Sequence, residues 1–563
     1  MKALLKPALL MALTLLLAAA PLPRAQAQQS EFKPAVVISV ASIESIMEDV
    51  TYLADVAGAR ENATMAKGMV GLMTAGVDPK RPSGAYLTFN GPEEPVAVVF
   101  IPVTDLKGLL KIHEGSLGAP EDEGDGLLRI DGPNGMPIYL KEVGGWAFAS
   151  QDKGMLASTP ADPAVLLGGL EKEYTVAARV SVTNIPAELR AMAVEQMKSK
   201  IDEQLEDSAD GENRELVESV AKNNVKQMKQ FIEDSDVIEV GWAIDSMAKS
   251  TYIDFSMTAQ PGTKLAERMA ASKVTKSNYS GFILPNAAAA LLFAGKATDE
   301  DIAQWSMVLD SMDKQASKSI DEDSDLKSDE DRAAAKEIVS SLIGVLRKTA
   351  EGGKLEGGAT VLLSEDGGLT VAAGGRIADP AELERVLRKT VELAKKEPDF
   401  PGFKFDADSY KGVSFHTMSV PLDDADDDVR GVVGENLDIA IGTGDNSVYL
   451  AFGKNNIATL KKIIDQSAVG VGVDQPPFQF FVALAPILKF AAKVGDDPIT
   501  GMIAAGADKI AGNDRISITS KPIENGASSR IQIDEGVLKL LGEVGKTFGG
   551  MGGGPGGPIP GAF

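Results

Sequence analysis

The feature that most constrains the fold is an order of predicted elements that the 563-residue chain passes through twice. Each half opens with a strand, a helical hairpin, a strand pair and a helix, and continues with a meander of strands. A strand, a helical pair, two strands and a helix close each half. A chain of this length is too long for one hydrophobic core. The repeat therefore predicts two tandem domains of the same fold, each roughly 240 residues long, which a gene duplication would explain.

Hydrophobic periodicity and capping residues place the individual elements. Val36–Val40 alternates as a strand, and apolar residues recur at helical spacing over Ile43–Ala57 and Glu61–Ala75. Thr104 and Asp379 are candidate N-caps of the helix that follows each strand pair. Each domain is therefore predicted to be α+β, with a twisted, mainly antiparallel sheet and helices packed on one face.

The first 27 residues have the three parts of a secretory signal peptide. Lys2 and Lys6 form a basic n-region, residues 9–20 are largely apolar, and residues 25–27 form an A-x-A cleavage site. The apolar run is too short to span a bilayer, which takes about 20 residues. We therefore expect Sec-type export with cleavage after Ala27, and a mature protein in the periplasm or outside the cell.

The chain is strongly acidic and has no cysteine. It has 56 Lys and Arg against 81 Asp and Glu, a net charge of −25, and loss of the three basic residues of the leader makes it −28. That charge opposes binding to nucleic acid and to anionic lipid surfaces. Without cysteine there is no disulfide and no thiol for a lipoprotein anchor. We expect a soluble mature protein with no nucleic-acid partner and no membrane insertion after signal cleavage.

The closest internal match lies where a strand breaks into a polar turn followed by a helix. Gly145–Lys153 resembles Val448–Asn456 in this respect. With the leader, the tandem halves and a Gly-rich tail, the chain resembles large exported bacterial proteins with tandem α+β domains of unknown function. The resemblance implies the architecture and assigns no site residues. Any alternating α/β chain gives loose matches of this kind, so coincidence remains the alternative to duplication.

The repeat also sets the predicted boundaries. They are a signal peptide at 1–27, a first α+β domain at 28–273, a second at 274–548 and a tail at 549–563. The tail is rich in Gly and Pro with few apolar side chains, so it is predicted to be disordered. Two acidic segments interrupt the repeat, an insert at 317–331 and Asp423–Asp428, which is predicted to be a loop between strands.

The acidic insert resembles part of a calcium-binding loop. Asp321, Asp323 and Asp325 stand at positions 1, 3 and 5 of an EF-hand pattern, but Leu326 replaces the glycine of position 6 and Arg332 the glutamate of position 12. A solvated charge run is therefore the preferred interpretation of this segment and of residues 423–428. Weak calcium binding by either segment stays open.

No catalytic, cofactor-binding or metal-ligating motif is present. The two histidines, His113 and His416, lie far apart in the sequence and there is no cysteine, which argues against a zinc site. Ser414 and His416 fall on one face of a predicted strand without a third member for a triad. The sequence therefore predicts no site residues and no cofactor, and it favours a protein that is not an enzyme.

Methionines form the one apolar pattern that could have a binding role. Met65, Met69 and Met73 share one helix face, and Met192 and Met197 lie in another helix. Flexible thioethers can line a groove for varied apolar ligands, although filling of the core is the preferred explanation. The three tryptophans are also predicted to be core anchors: Trp146, Trp242 and Trp305.

Three functions remain open at this stage. The first is an exported, non-enzymatic binding or structural protein of the cell envelope, whose partner would be an envelope component. The second is a carrier of lipid or another apolar small molecule, held between sheet and helices. The third is a hydrolase whose site is assembled from residues that are distant in the sequence.

Overall fold

The computed structural model describes residues 33–551, except 90–93, 133–134, 209–213, 272, 274–275, 324–325, 327, 365–367, 424 and 496–497. The predicted signal peptide and residues 552–563 of the predicted tail lie outside the described residues. The chain folds as two compact units. Unit 1 comprises Met1–Glu212, Glu218–Leu265 and Leu541–Phe563, and unit 2 comprises Asn213–Val217 and Ala266–Leu540.

Unit 1 is built on an antiparallel sheet, and ten strands lie within its described residues. They are β1 (Val36–Val40), β2 (Ser83–Phe89), β3 (Pro95–Pro102), β4 (Glu121–Gly124), β5 (Leu127–Asp131), β6 (Pro137–Val143), β7 (Trp146–Ser150), β8 (Val176–Ser181), β9 (Ser235–Asp245) and β10 (Ser250–Ala259). Their order across the sheet is β10-β9-β8-β1-β2-β3-β7-β6-β5-β4.

Helices connect these strands at the predicted places. They are α1 (Ile43–Val56), α2 (Arg60–Met73), α3 (Leu106–Leu117), α4 (Leu170–Glu173), α5 (Ala187–Ser208), α6 (Arg214–Asp234) and α7 (Lys264–Ala271), with 3-10 turns at Lys153–Ala157, Pro163–Leu167 and Val182–Asn184. Ser42 caps α1 by accepting a hydrogen bond from the Ser45 N–H. Asp105, one residue after the predicted Thr104, caps α3 by accepting from the Gly108 N–H at 2.9 Å.

The sheet of unit 1 has cores on both of its faces. Phe100, Trp146 and Phe148 are fully buried on one face, which we call the packed face of unit 1, where the 3-10 segment Lys153–Leu167 contributes Leu156 and Leu167. On the other face, α3 packs its apolar side against β5, β6 and β7. The buried residues of this second core are Val103, Leu106, Leu110, Ile130, Ile138, Leu140 and Ala147.

Unit 2 is built on an antiparallel sheet of the same kind, again with ten strands in its described residues. They are β11 (Ala289–Lys296), β12 (Lys354–Leu363), β13 (Leu369–Arg376), β14 (Lys404–Tyr410), β15 (Val413–Pro421), β16 (Asn436–Gly444), β17 (Ser447–Gly453), β18 (Phe478–Ala483), β19 (Arg515–Ile523) and β20 (Gly526–Asp534). Their order is β20-β19-β18-β11-β12-β13-β17-β16-β15-β14.

The remaining helices follow the strands of the second half of the chain. They are α8 (Asp299–Glu322), α9 (Asp329–Glu351), α10 (Pro380–Ala394), α11 (Asp427–Val433), α12 (Asn456–Gly470), α13 (Leu484–Val494), α14 (Pro498–Ala504), α15 (Ala507–Ile510) and α16 (Glu535–Met551), with a 3-10 turn at Ser280–Phe282. As predicted, Asp379 caps α10, and Pro380 occupies its first position.

The prediction that helices cover one face of each sheet is wrong for unit 2. On β15, Phe415 faces a core that includes Leu460 and Ile463 of α12. His416 follows Phe415 and therefore points to the other face, where its ring lies near Glu384 of α10. At β15, helices therefore lie on both faces of the sheet, with α12 on the side of Phe415 and α10 on the side of His416.

Both acidic segments extend into helices, contrary to prediction. Residues 317–322 belong to α8, and Ser328 caps α9 by accepting from the Asp331 N–H at 3.0 Å, so 317–331 is not a linker throughout. Residues 427 and 428 begin α11 instead of extending a loop. Acidic residues are favourable in the first turn of a helix because they face the positive end of its dipole.

Other boundaries also differ from those predicted. The meander of each unit has four strands, since β4 and β16 were not foreseen, and both begin among acidic or polar residues. Helix α16 extends to Met551, so the first three residues of the predicted disordered tail, 549–551, are helical.

Candidate functional site

An apolar surface lies on β9 and β10, on the side of the sheet opposite the packed face of unit 1. Val37 belongs to the packed face. Cross-strand pairing places Arg179 of β8 beside Val37 and Glu239 of β9 beside Arg179, so all three point to the same side of the sheet. Because successive strand residues point to opposite faces, Val240 and Trp242 lie on the other side of the sheet. Pairing of β9 with β10 adds two residues to this surface, which we call the open face of unit 1: Val240, Trp242, Ile253 and Phe255.

Unit 2 has an apolar surface of the same kind. On β17, Ala451 belongs to the core and its neighbour Leu450 points away from it. On β11, Leu292 belongs to the core and Phe293 points away. Ile531 of β20 lies on the same side as Leu450 and Phe293. We call this surface the open face of unit 2, with these exposed members: Phe293, Leu450 and Ile531.

The side chains of the two open faces are partly but not fully accessible. All seven are between 37% and 45% exposed, although each lies within a strand. Covering two fifths of four such side chains would contribute about 2–5 kcal/mol. Contiguous exposed apolar surface of this kind marks a binding site on many soluble proteins. The open faces are therefore the strongest candidate for a functional surface.

The polar part of Trp242 is already satisfied within the sheet. Its Nε1–H donates to the Thr251 hydroxyl at 2.9 Å, and that hydroxyl donates to the Ala243 carbonyl at 2.8 Å. The exposed portion of the indole is therefore available for apolar contact. This position contradicts the prediction that Trp242 is a core anchor, whereas Trp146 is buried as predicted.

A second candidate is a charged cluster around a buried histidine in unit 2. Glu384, Asp406 and His416 bring potential ligand atoms within 4.8 Å of one another. Asp406 donates its backbone N–H to Nδ1 of His416 at 3.1 Å, and Nε2 of the same ring lies 3.2 Å from the Thr443 hydroxyl. Arg388 contacts both carboxylates, at 2.6 Å to Glu384 and 3.5 Å to Asp406.

These contacts leave the cluster poorly suited to hold a metal ion. Nδ1 accepts a backbone N–H, so its lone pair is occupied, and Nε2 must carry the ring proton. The guanidinium of Arg388 already neutralises the carboxylates of Glu384 and Asp406. A cation would have to displace both partners. The arrangement instead ties α10 to β14 and β15 through an ion-pair network.

The same geometry bears on the predicted pairing of Ser414 with His416. Both side chains lie on one face of β15, as the strand spacing predicts. His416 is fully buried, and both of its ring nitrogens have partners. Neither nitrogen is placed to take a proton from Ser414. The cluster therefore does not assemble a serine nucleophile with a base.

Asp406 has a backbone conformation that is rare for a residue other than glycine. Its φ is +51°, in the left-handed region, and the pairing of β14 with β15 shifts register between Lys404 and Asp408. This bulge turns the Asp406 N–H toward the His416 ring. Phe405 packs edge-on against that ring, with 5.4 Å between ring centres.

We predict that His416 makes the protein less stable in acid. Burial lowers the pKa of His416; Asp406 and Glu384 oppose this shift and Arg388 adds to it. The unfolded chain takes up a proton below a pH of about 6.5, where the folded protein still has neutral His416. The unfolded state then binds more protons, so the free energy of unfolding falls as pH drops below that value. Denaturant titrations at pH 7.5 and 5.5 would measure the loss.

His113, the other histidine, is the matched control for this measurement. Its Nε2 donates to the Met73 carbonyl at 2.9 Å, in a contact at the protein surface. We expect His416→Gln to reduce the difference in stability between the two pH values and His113→Gln to preserve it. An unchanged difference in His416→Gln would contradict the assignment.

The remaining predicted features lie apart from these two candidates. Asp321 lies in α8 and pairs with Lys336 at 2.6 Å, so it does not begin a loop, and Asp325 lies outside the described residues. Met65, Met69 and Met73 are exposed on α2, so the expectation that they fill the core is wrong. Met192 and Met197 are also exposed on α5.

Comparison with known proteins adds no assignment. No protein-family model, no curated protein and no solved structure matches this chain. Within the part of the chain that the structure describes, none of the helices combines the length and the apolar composition needed to cross a membrane. The candidate function therefore rests on the geometry of the chain itself.

Proposed function

We propose that the protein is an exported, non-enzymatic carrier of amphiphiles that contain a hydrocarbon chain, which bind to the open faces of the two sheets. The observation that carries the proposal is the partial exposure of mid-strand apolar side chains on both open faces. Apolar side chains that remain in water forgo the stabilisation that burial provides. A bound hydrocarbon chain would cover them.

The degree of exposure favours a thin ligand over a protein partner. The open-face side chains are 37–45% exposed, whereas apolar side chains on the outer surface of α2 reach 55–72%. More than half of each open-face side chain is therefore already covered. A flexible hydrocarbon chain can adapt to such a partly shielded apolar surface.

The neighbouring residues on the open face of unit 1 are also uncharged and mainly apolar. Pairing across the sheet places Val176 beside Trp242 and Ala178 beside Val240. Next to these, Val40 lies opposite Val176 and Ile38 lies opposite Ala178. The apolar surface therefore extends over several strands, as a ligand longer than one side chain requires.

Duplication of one domain would explain why the chain has two such surfaces. The strand order is the same in the two units when β1–β10 are matched in sequence with β11–β20. Trp146 lies opposite Pro102 on β3, and Tyr449, its counterpart in the predicted repeat, lies opposite Gly374 on β13. We propose two similar tandem domains at 28–273 and 274–548, each with one open face.

The last part of the proposal is that the protein is exported. The leader, the cysteine-free composition and the resemblance to large exported bacterial proteins support a place in the periplasm or outside the cell, after cleavage behind Ala27. An amphiphile has low solubility in that aqueous compartment, so a soluble carrier has a defined task there. Its source or recipient would be an envelope component.

Tryptophan quenching tests the proposal at a defined residue. Titration of the full chain with a fatty acid brominated near the middle of its chain is expected to quench tryptophan fluorescence. Trp242→Phe should remove a large part of the quenching because Trp242 lies on the open face. Trp146→Phe should retain it because Trp146 is buried on the packed face. Equal quenching in both variants, or none in the unaltered protein, would overturn the proposal.

Introducing a charge on the open face by substitution is a second test of fatty-acid binding. Ile253→Asp should weaken the binding of the fatty acid at least tenfold, about 1.4 kcal/mol, because the ligand would bury an unpaired carboxylate. Val165→Asp is the matched control, since Val165 is exposed in the 3-10 turn Pro163–Leu167, away from the open face. Comparable losses in the two variants would point to a nonspecific effect of added charge and contradict the site.

A further inference from the structure

Three methionines of helix α2 have their side chains in contact with solvent. Met65, Met69 and Met73 are spaced four residues apart, so they share one face of the helix. They are 69%, 57% and 55% exposed. The buried residues of this helix are Ala63 and Ala66, so its packing does not depend on the thioether side chains. We call these three residues the exposed methionines of α2.

The sulfur of this protein is confined to thioethers. The chain has 19 methionines and no cysteine. In a chain with an accessible cysteine, the thiol would compete for any oxidant that reaches the surface. The exposed methionines of α2 have no such competitor within the chain.

Other methionines of the same unit or of its neighbour along the chain are shielded. Met269 of α7 is only 8% exposed. The sulfur of Met257 on β10 accepts a hydrogen bond from the Ser235 hydroxyl at 3.8 Å, and Ser235 is fully buried. Because an oxidant must touch the sulfur to transfer oxygen, these two side chains are protected by the fold. A sulfoxide at either position would also place a strongly polar group among packed side chains.

We infer that the exposed methionines of α2 are a modification site, at which hydroperoxides oxidise the thioethers of the folded protein to sulfoxides. A lone pair of the sulfur attacks the terminal oxygen of the hydroperoxide, so that an S–O bond forms and the O–O bond breaks. The proton of the transferred oxygen passes to the oxygen that leaves, which departs as water or an alcohol. The sulfur is oxidised and the hydroperoxide is reduced.

The position of these residues determines what oxidation does. The sulfoxides remain in water, so the fold should survive while one face of α2 changes from apolar to polar. Reduction of the sulfoxides would restore the original surface. The inference concerns a chemical property of α2 and does not rest on the proposed carriage of amphiphiles.

Brief treatment of the folded full chain with hydrogen peroxide, followed by tryptic digestion and mass spectrometry, tests the inference. Trypsin releases residues 61–67, whose one methionine is Met65, and residues 269–273, whose one methionine is Met269. Met65 is expected to gain oxygen about tenfold faster than Met269, or more, because its sulfur is accessible. Equal rates for the two peptides in the folded protein would overturn the inference.

Unfolding the protein provides the control for differences in local sequence. In denaturant the two peptides should gain oxygen at similar rates, because burial no longer protects Met269. A difference that persists in denaturant would show that the fold does not select the site, which would contradict the inference.

A triple variant, Met65→Leu, Met69→Leu and Met73→Leu, separates these sulfurs from the others. Leucine has a similar volume and cannot be oxidised in this way, so the variant should fold normally and lose the early oxygen uptake of the unaltered protein. Unchanged early uptake would contradict the assignment to α2. Thermal unfolding of the treated protein, while Met269 is unmodified, should match that of the untreated protein. Loss of the cooperative transition at that stage would show that oxidation of α2 is not confined to its surface.

Discussion

Replacing Phe282 with alanine is expected to lower the free energy of unfolding by about 3–5 kcal/mol. Phe282 is fully buried in the core of unit 2, and its ring stacks on that of Tyr449 with 6.4 Å between centres and 21° between planes. The ring lies over Gly358 and Gly374, where an added Cβ would come within 2.8 Å and 3.0 Å of it. Alanine would leave a cavity that these two glycines, which have no side chain, cannot fill.

Chemical denaturation of the full chain measures this effect. Phe293→Ala is the matched control, because Phe293 is the same residue type on the open face and is 39% exposed. Its loss of stability should be less than half that of Phe282→Ala, since less buried surface is lost. Similar losses for the two variants would mean that the core and the open face of unit 2 do not differ as described.

Replacing Gly281 with alanine is expected to lower the free energy of unfolding by roughly 3 kcal/mol, at the upper end of the range for an overpacked core. An added Cβ would stand 2.0 Å from the Ile463 carbonyl oxygen and 2.6 Å from the Ser467 backbone nitrogen. The Gly281 N–H also donates to the Ser467 hydroxyl at 3.0 Å. Because two of the obstructing atoms belong to the backbone of α12, the helix itself would have to move.

Gly344→Ala is the control for this substitution. Gly344 lies inside α9, and an added Cβ there meets nothing within 4 Å beyond the backbone of its own helix. Alanine is the better helix former by about 0.5–1 kcal/mol, so this variant should be more stable than the unaltered protein. Thermal unfolding that shifts in the same direction for both variants would contradict the close approach of the Ser280–Phe282 turn to α12.

Much of the α+β element order could be predicted from the sequence because it depends on local signals. The Asp379 cap with Pro380 marks the start of α10, and hydrophobic periodicity locates α1 within one residue at its end. The acidic segments were misassigned because charge predicts solvent exposure but does not distinguish a loop from the first turn of a helix. Residues 329–331 fall in such a turn.

The candidate site could not be predicted in the same way. The strand that contains Trp242 alternates in the sequence, which predicts one buried face and a core position for Trp242. Which side of the strand other elements cover depends on tertiary packing, which one sequence does not encode locally. The core position predicted for Met65, Met69 and Met73 is wrong for the same reason, since helical spacing identifies a shared face without showing what packs against it.

Native mass spectrometry of the full chain incubated with a saturated fatty acid tests the central claim most directly. If the open faces bind hydrocarbon chains, the spectrum should show protein with bound fatty acid, and Ile253→Asp should reduce the bound fraction while Val165→Asp should not. A spectrum of unliganded protein alone, at fatty-acid concentrations that saturate the tryptophan quenching, would contradict the assignment of the open faces as the carrier site.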